Sequence, residues 1–203
     1  MDNSSVIVIG CGGHSRSIID LIQTNGEFKI KGLIGKKNEL NKEVLGYKVI
    51  GTEDDLEKIR NRVSNAVLGI GQIKTTDLRE NLIKLLKKFD YKTPKIISKY
   101  SYISDNSSIG EGTCVGHHAL VNAGAKVGKF CILNSKCLVE HDSLIGDFCH
   151  LSTGVLINGN VNIGDKSFIG SGAIIREGIK LPKETIIGAG KRIMALPISK
   201  EVN

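Results

Sequence analysis

Tryptophan is absent from the 203-residue chain, and Phe and Tyr together number nine, so its core has to be filled by Ile, Val, Leu and Ala. Proline occurs only three times, which excludes collagen-like and linker-rich architectures. No stretch reaches 18 apolar residues, and the N-terminus MDNSSVIVIG has no basic region ahead of an apolar run. Neither a membrane span nor a signal peptide is expected, and the chain reads as soluble and cytoplasmic. The five cysteines, Cys11, Cys114, Cys131, Cys137 and Cys149, are odd in number and form no CxxC pair, which argues against a disulfide framework. The five histidines do not combine with them at zinc-ligand spacing, so no metal is expected and the thiols read as small buried hydrophobes. Basic clusters with interleaved aromatics are lacking too, so nucleic acid is not an expected partner.

What is abundant is glycine, at 24 residues, and positive charge, at a net +7. The charge is uneven: residues 1–100 carry 18 Lys/Arg against 12 Asp/Glu, whereas residues 101–203 carry 10 against 9. A mildly basic first half suits an anionic small molecule.

In that first half, Val6-Ile7-Val8-Ile9 is an apolar run followed by Gly10-Cys11-Gly12-Gly13-His14, then Ser15–Ile22 at helical spacing. This predicts a buried strand, a glycine turn and a helix whose first amides face an anion, although GxGG is only part of the GxGxxG fingerprint and is also a plain structural turn. Strands are expected at 31–35, 48–51 and 66–71, and helices at 53–62 and 78–89. The alternation indicates a small open parallel sheet. No acid stands at the end of the Leu33-Ile34 strand, where a ribose-binding Asp or Glu is expected, so a NAD enzyme is discounted. Lys36 and Lys37, which stand there instead, read as a solvated turn.

The second half has a period of six. From Ile103 to Ile193, sixteen positions spaced by six are all Ile, Val or Leu, and the position two residues before each is usually small. Six fits neither a helix nor a continuous strand. It describes a solenoid of short parallel strands with eighteen residues per triangular coil, in which Gly after the inward aliphatic, as at 110, 128 and 146, suits a tight corner. Five coils at about 4.8 Å each make a prism roughly 24 Å long, too narrow for rings. In this register His141, two residues after inward Val139, faces outward with Ala123 and Gly159 below and above it, which leaves a notch around the imidazole. Asp142 and Glu140 flank it, and either carboxylate can hold the ring. His150 is half a coil away from it, and His117 and His118, in an upstream coil, read as solvated.

The segments VIVIGCGGHS, VLGIG, IISKYSYISDNSSIGEGT and LNSKCLVEHDSLIGDFCHLSTGVLINGNVNIG resemble a sugar O-acyltransferase family within the left-handed β-helix acyltransferases. That group includes sialic acid O-acetyltransferases and N-acetyltransferases of nucleotide-linked 4-amino-dideoxy sugars. The resemblance covers nearly the whole chain, and it alone supplies the handedness. It implies an α/β Rossmann-like nucleotide-sugar-binding domain over residues 1–98 and a left-handed parallel β-helix of about five coils over 99–203. It further implies homotrimers, with coenzyme A lying between two prisms. Carried over residue by residue, it makes His141 the general base and Asp142 its assistant, and puts His150 near the acetyl-CoA thioester. The Gly159 amide then points at the thioester carbonyl, Asn134 makes a neighbour-subunit contact and Ser171 lines the pantetheine groove. Gly12, Gly13, His14, Ser15 and Gly71 correspond to nucleotide contacts. Two departures stand out: the acidic pair frequent in relatives after the second strand is missing at Gly35-Lys36, and Lys99-Tyr100 stands where relatives have a histidine.

The activity implied is direct transfer from acetyl-CoA to the amine of a UDP- or dTDP-linked 4-amino-4,6-dideoxy sugar in surface-glycan biosynthesis, with no acyl-enzyme and no metal. Sialic acid O-acetylation is the first alternative. A non-catalytic hexapeptide scaffold is the second.

Overall fold

The computed structural model describes residues 4–195 and 201–202. Residues 1–3, 196–200 and 203, at the ends of the two expected domains, lie outside the described residues. The chain divides into two compact units: one runs to Gly71 and resumes at Asp77–Ile96, and the other comprises Gln72–Thr76 and the residues from Ile97 onward.

In the first unit, β1 (Ser5–Ile9), α1 (Gly13–Asn25), β2 (Lys29–Ile34), β3 (Glu43–Val44), β4 (Tyr47–Gly51), α2 (Leu56–Arg60), β5 (Asn65–Leu68) and α3 (Asp77–Lys88) follow in order. The sheet order is β3-β4-β2-β1-β5. Strand β1 lies inside the sheet between β2 and β5 with all five residues buried, which is why it reads as an unbroken apolar run rather than an alternating one. The sheet is not wholly parallel as expected, because β3 pairs antiparallel with β4. Leu45 (φ 50°) and Gly46 (φ 84°) make a two-residue turn there, short enough that nothing but a hairpin can form. Helix α1 stops at Gly26, whose left-handed conformation (φ 73°) lets its N–H reach Ile22 O. Helix α3 buries Leu82, Ile83 and Leu86, and with them Arg79, whose Nη1 donates to Ile70 O at 2.6 Å. The buried guanidinium thereby ties α3 to the segment after β5, a link that apolar periodicity cannot reveal.

In the second unit, two-residue strands stack in three parallel sheets of six, five and seven strands. Strands pair with those eighteen residues on, as in Leu133↔Leu151, Val139↔Ile157 and Ile145↔Ile163, except the last pair, Ile186↔Glu201, which is fifteen apart. From Val115 to Ile193 every sixth-position aliphatic is buried in one continuous core, and Ile103 and Ile109 of the first coil are partly buried against it. The backbone turns by one left-handed residue at each corner: at every sixth position from Gly112 to Gly190, φ lies between 54° and 74°. These positions are two residues beyond the glycines singled out from the sequence. Gly110, Gly128, Gly146 and Gly164 serve close stacking, because an added Cβ would lie 2.4–2.5 Å from an atom of the next coil.

The small residues of one corner are not inert filler. Thr113 Oγ1, Cys131 Sγ and Cys149 Sγ donate to the carbonyls of Gly128, Gly146 and Gly164 at 2.8, 3.0 and 3.3 Å. Ser167 Oγ donates to Gly164 O at 2.7 Å and Thr185 Oγ1 to Pro182 O at 2.6 Å. Upward, Thr113 Oγ1 accepts Cys131 N–H and Ser167 Oγ accepts Thr185 N–H. Cys131 and Cys149, read from the sequence as hydrophobes, are therefore hydrogen-bonding rungs that satisfy backbone groups the narrow interior hides from water. Cys137 is buried at another corner, and burial pushes its thiol pKa up to about 12. Among the described residues, no helix is long and apolar enough to cross a membrane.

Candidate active site

His141 stands at a coil corner, just after the strand Leu138–Val139, with 55% of its side chain exposed. Asp142 takes the left-handed corner conformation (φ 60°), and its Oδ2 lies 3.0 Å from His141 Nδ1. A carboxylate only accepts, so Nδ1 carries the proton and Nε2 of the neutral ring is the free base. Glu140 turns away: its Oε2 accepts Asn122 Nδ2 at 2.7 Å and the His141 backbone N–H at 3.2 Å. Of the two carboxylates open in the sequence, Asp142 is therefore the one bonded to the ring. The Asp142 hydrogen bond, reinforced by the charges of Asp142, Glu140 and Glu177, raises the His141 pKa above its ordinary value. A base acts only when neutral, so kcat/KM should fall as pH drops through this raised pKa. Asp142→Asn keeps an acceptor for Nδ1 but removes the charge, and should move that acid limb to lower pH. A pH–rate profile in which the limb stays where it was excludes this coupling.

Two glycines make room for the pair. A Cβ on Gly159, one coil above, would lie 2.6 Å from His141 Nε2, and a Cβ on Gly124, one coil below, would lie 2.4 Å from Asp142 Oδ1. The Gly159 notch is where the register puts it. Ala123, expected to bound the notch from below, accepts Asp142 N–H on its carbonyl at 3.1 Å, while the neighbouring Gly124 clears the carboxylate. Gly124 lies in the column of Asp142, outside that of His141, so the spacing around His141 does not reveal it.

His150 does not face solvent. It is 8% exposed, with Nδ1 2.7 Å from Gln72 O and Nε2 3.0 Å from Asn134 Nδ2, and Phe168 meets it edge-on. The Gln72 carbonyl fixes the proton on Nδ1, so Nε2 accepts from Asn134. Gln72 also donates its side-chain amide to Phe148 O. His150 and Asn134, sixteen residues apart, are thus neighbours, and the segment that covers them, Gln72–Thr76, carried no sequence signal. Ser171 is exposed at another corner with its hydroxyl 2.9 Å from Ser152 Oγ. His117 is not a free surface group: Nδ1 lies 2.6 Å from Ser98 Oγ, and Tyr100 packs against its ring and that of His118.

The first unit holds a cleft of about 280 Å3 at the C-terminal ends of β1, β2 and β5. Gly12, Gly13, His14 and Gly71 line it, while Ser15 is buried and donates Oγ to Gly12 O at 2.6 Å, closing the glycine turn. Lys36 borders the cleft, whereas Lys37 pairs in the open with Asp54 at 3.8 Å. The strand end itself has no acid, as the sequence says, but the short turn Lys37–Glu39 folds Glu39 back so that its Oε2 accepts Lys36 N–H at 2.9 Å on the cleft wall. Glu39 lies five residues past Ile34, so the strand end alone does not reveal it.

The comparisons agree with this layout. Residues 5–86 match the PglD N-terminal domain family. PerB from Caulobacter crescentus, solved in complex with CoA and GDP-perosamine, is 27% identical with a TM-score of 0.86, over 94% of this chain and 88% of that one. The acetyltransferase domain of PglB from Neisseria gonorrhoeae is 29% identical with a TM-score of 0.84, over 95% of this chain and 92% of that one. The uncharacterized protein L142 of Acanthamoeba polyphaga mimivirus is 31% identical over 125 residues, 62% of this chain; the match spans only 24% of that much longer protein. An α/β unit of this type joined to an eighteen-residue-per-turn prism defines a hexapeptide-repeat acyltransferase. Within that class, the chain is similar to the left-handed β-helix sugar O-/N-acetyltransferases represented by PerB and PglB.

Proposed function

We propose that this chain is an acetyl-CoA-dependent N-acetyltransferase acting on a nucleotide-linked 4-amino-4,6-dideoxy sugar. The observation that carries the reading is an outward imidazole with Nδ1 bonded to Asp142 and Nε2 facing a notch kept open by Gly159. The sugar amine attacks the thioester carbonyl, and His141 Nε2 takes the proton released as the amide bond forms and the CoA thiolate leaves. The Gly159 amide stabilises the developing oxyanion, and Ser171 and Asn134 hold the CoA, Asn134 braced from behind by the buried His150. Gly12, Gly13, His14 and Gly71 bind the nucleotide, with Ser15 supporting their turn. Thiol nucleophiles do not suit the role: burial pushes Cys11 up to about 11 and Cys137 up to about 12, leaving both protonated at neutral pH.

The active form in this reading is a homotrimer. Its support is an outward apolar row on the six-stranded sheet, Tyr102, Leu120, Leu138, Leu156 and Ile174, in register from coil to coil. Tyr102 is 59% and Leu156 36% exposed in the single chain, which is a surface for a second copy to cover. The reaction belongs in the cytoplasm, where acetyl-CoA is supplied and the free thiols stay reduced.

The test is CoA release from acetyl-CoA measured against UDP-, GDP- and dTDP-linked 4-amino sugars and free sialic acid. Turnover confined to the nucleotide-linked amines is expected. A preference for sialic acid would make the chain an O-acetyltransferase, and turnover of none, with no binding of acetyl-CoA, would make it a scaffold.

A further inference from the structure

The corner that carries His141 repeats every eighteen residues as Asp105, Ala123, His141, Gly159 and Glu177, so the coil itself demands no one kind of side chain there. The corners stack directly: Asn160 N–H donates to His141 O at 2.9 Å, and Gly178 N–H to Gly159 O at 3.0 Å. Glu177 is therefore the next side chain above the imidazole, because Gly159 between them has none. It is exposed, and among the described residues no hydrogen bond or ion pair holds it. The fold has no use for a glutamate in that position.

The gap that Glu177 overlooks has a definite height. A Cβ on Gly159 would lie 2.6 Å from His141 Nε2, so the ring nitrogen already reaches the level of the Gly159 coil. One coil, about 4.8 Å, separates that level from Glu177. A tetrahedral nitrogen that donates two hydrogen bonds of about 2.9 Å holds its acceptors roughly 4.7 Å apart. The gap thus suits one amine, whose lone pair faces the thioester carbonyl while one N–H meets Nε2 and the other meets the carboxylate above. Glu177 is also close enough for its charge to be felt at His141. A hydroxyl has a single hydrogen and satisfies only one of the two acceptors.

We infer that Glu177 selects an amine over a hydroxyl as the acetyl acceptor by accepting the second N–H, the one that is not transferred. The inference rests on the reading of His141 as the base of an acetyl-CoA-dependent transfer and deepens it, because the imidazole alone would serve an O–H equally well. As the C–N bond forms and the C–S bond breaks, one proton passes from nitrogen to Nε2 and the thiolate leaves with the electron pair. The N–H held by Glu177 stays on the product amide. An alcohol gives its only proton to Nε2 and leaves the carboxylate facing an oxygen lone pair.

Glu177→Ala and Glu177→Gln in the full chain test this with two matched ligands: the nucleotide-linked 4-amino-4,6-dideoxy sugar that the chain turns over best, and its 4-hydroxy counterpart as a competitive inhibitor. Glu177→Ala should lower kcat/KM for the amine at least about tenfold, while inhibition by the hydroxy analogue is retained or strengthened. Glu177→Gln keeps an acceptor oxygen and should recover part of the loss. A merely structural role would weaken both ligands alike. Unchanged kcat/KM for the amine in Glu177→Ala, or an equal loss of amine turnover and analogue binding, overturns the role of Glu177 and leaves the acetyltransferase reading standing. Failure of the unsubstituted chain to acetylate any such amine removes both.

Discussion

His141→Ala should lower kcat at least about 100-fold while leaving the melting temperature unchanged. The size follows from the general-base role proposed for it, in which proton removal from the attacking amine contributes about 10²–10⁴ to rate. The unchanged stability follows from position: the side chain is more than half exposed, and its one hydrogen bond is to the still more exposed Asp142. An exposed pair of this kind contributes little to folding. CoA release at saturating acetyl-CoA, read beside a thermal melt, checks both halves. A variant that turns over at the original rate excludes His141 as the base, whatever its fold.

Gly159→Ala should be nearly as damaging, for a different reason. The Gly159 backbone does not adopt a positive φ, so alanine is conformationally allowed there. The added methyl, however, would lie 2.6 Å from His141 Nε2 and 2.7 Å from Cε1, inside any tolerable contact. The ring is exposed and the coil is packed, so the ring moves. A displacement of about 1 Å at the reacting centre costs on the order of 100-fold. The expected signature is a fall in kcat with the fold preserved and the imidazole NMR resonances shifted. Unshifted imidazole signals together with unaltered turnover would mean that the notch is wider than the backbone suggests.

Much of this was written in the residue order. The row Val115 to Ile193 fixed both the prism and the outward direction of His141, because a six-residue period leaves one interior position per face and a single slipped residue would destroy it. Strand β1 and the glycine turn were equally plain. What stayed hidden depended on contacts between residues distant in order or offset by a turn. Glu39 is folded back against Gly35, where a side chain would crowd it, and Arg79 shares the buried face of its helix with Leu82, Ile83 and Leu86 although its charge argues for solvent until Ile70 O is brought to it. His150 reads as an outward residue of its strand until Gln72, seventy-eight positions earlier, closes over it. The roles of Cys131 and Cys149 were invisible for another reason: a thiol looks apolar in composition and becomes a donor only when a carbonyl is set above it.

The column Thr113, Cys131, Cys149, Ser167 and Thr185 also constrains how this molecule changes in evolution. Thr113, Cys131 and Cys149 each reach a carbonyl fifteen positions ahead, and Thr113 and Ser167 an amide eighteen ahead, so one inserted residue would throw the later rungs out of phase. Gain or loss of a whole turn leaves the phase untouched. Lineages of this protein should therefore differ in length by multiples of eighteen within the prism, with other insertions confined to looped-out corners.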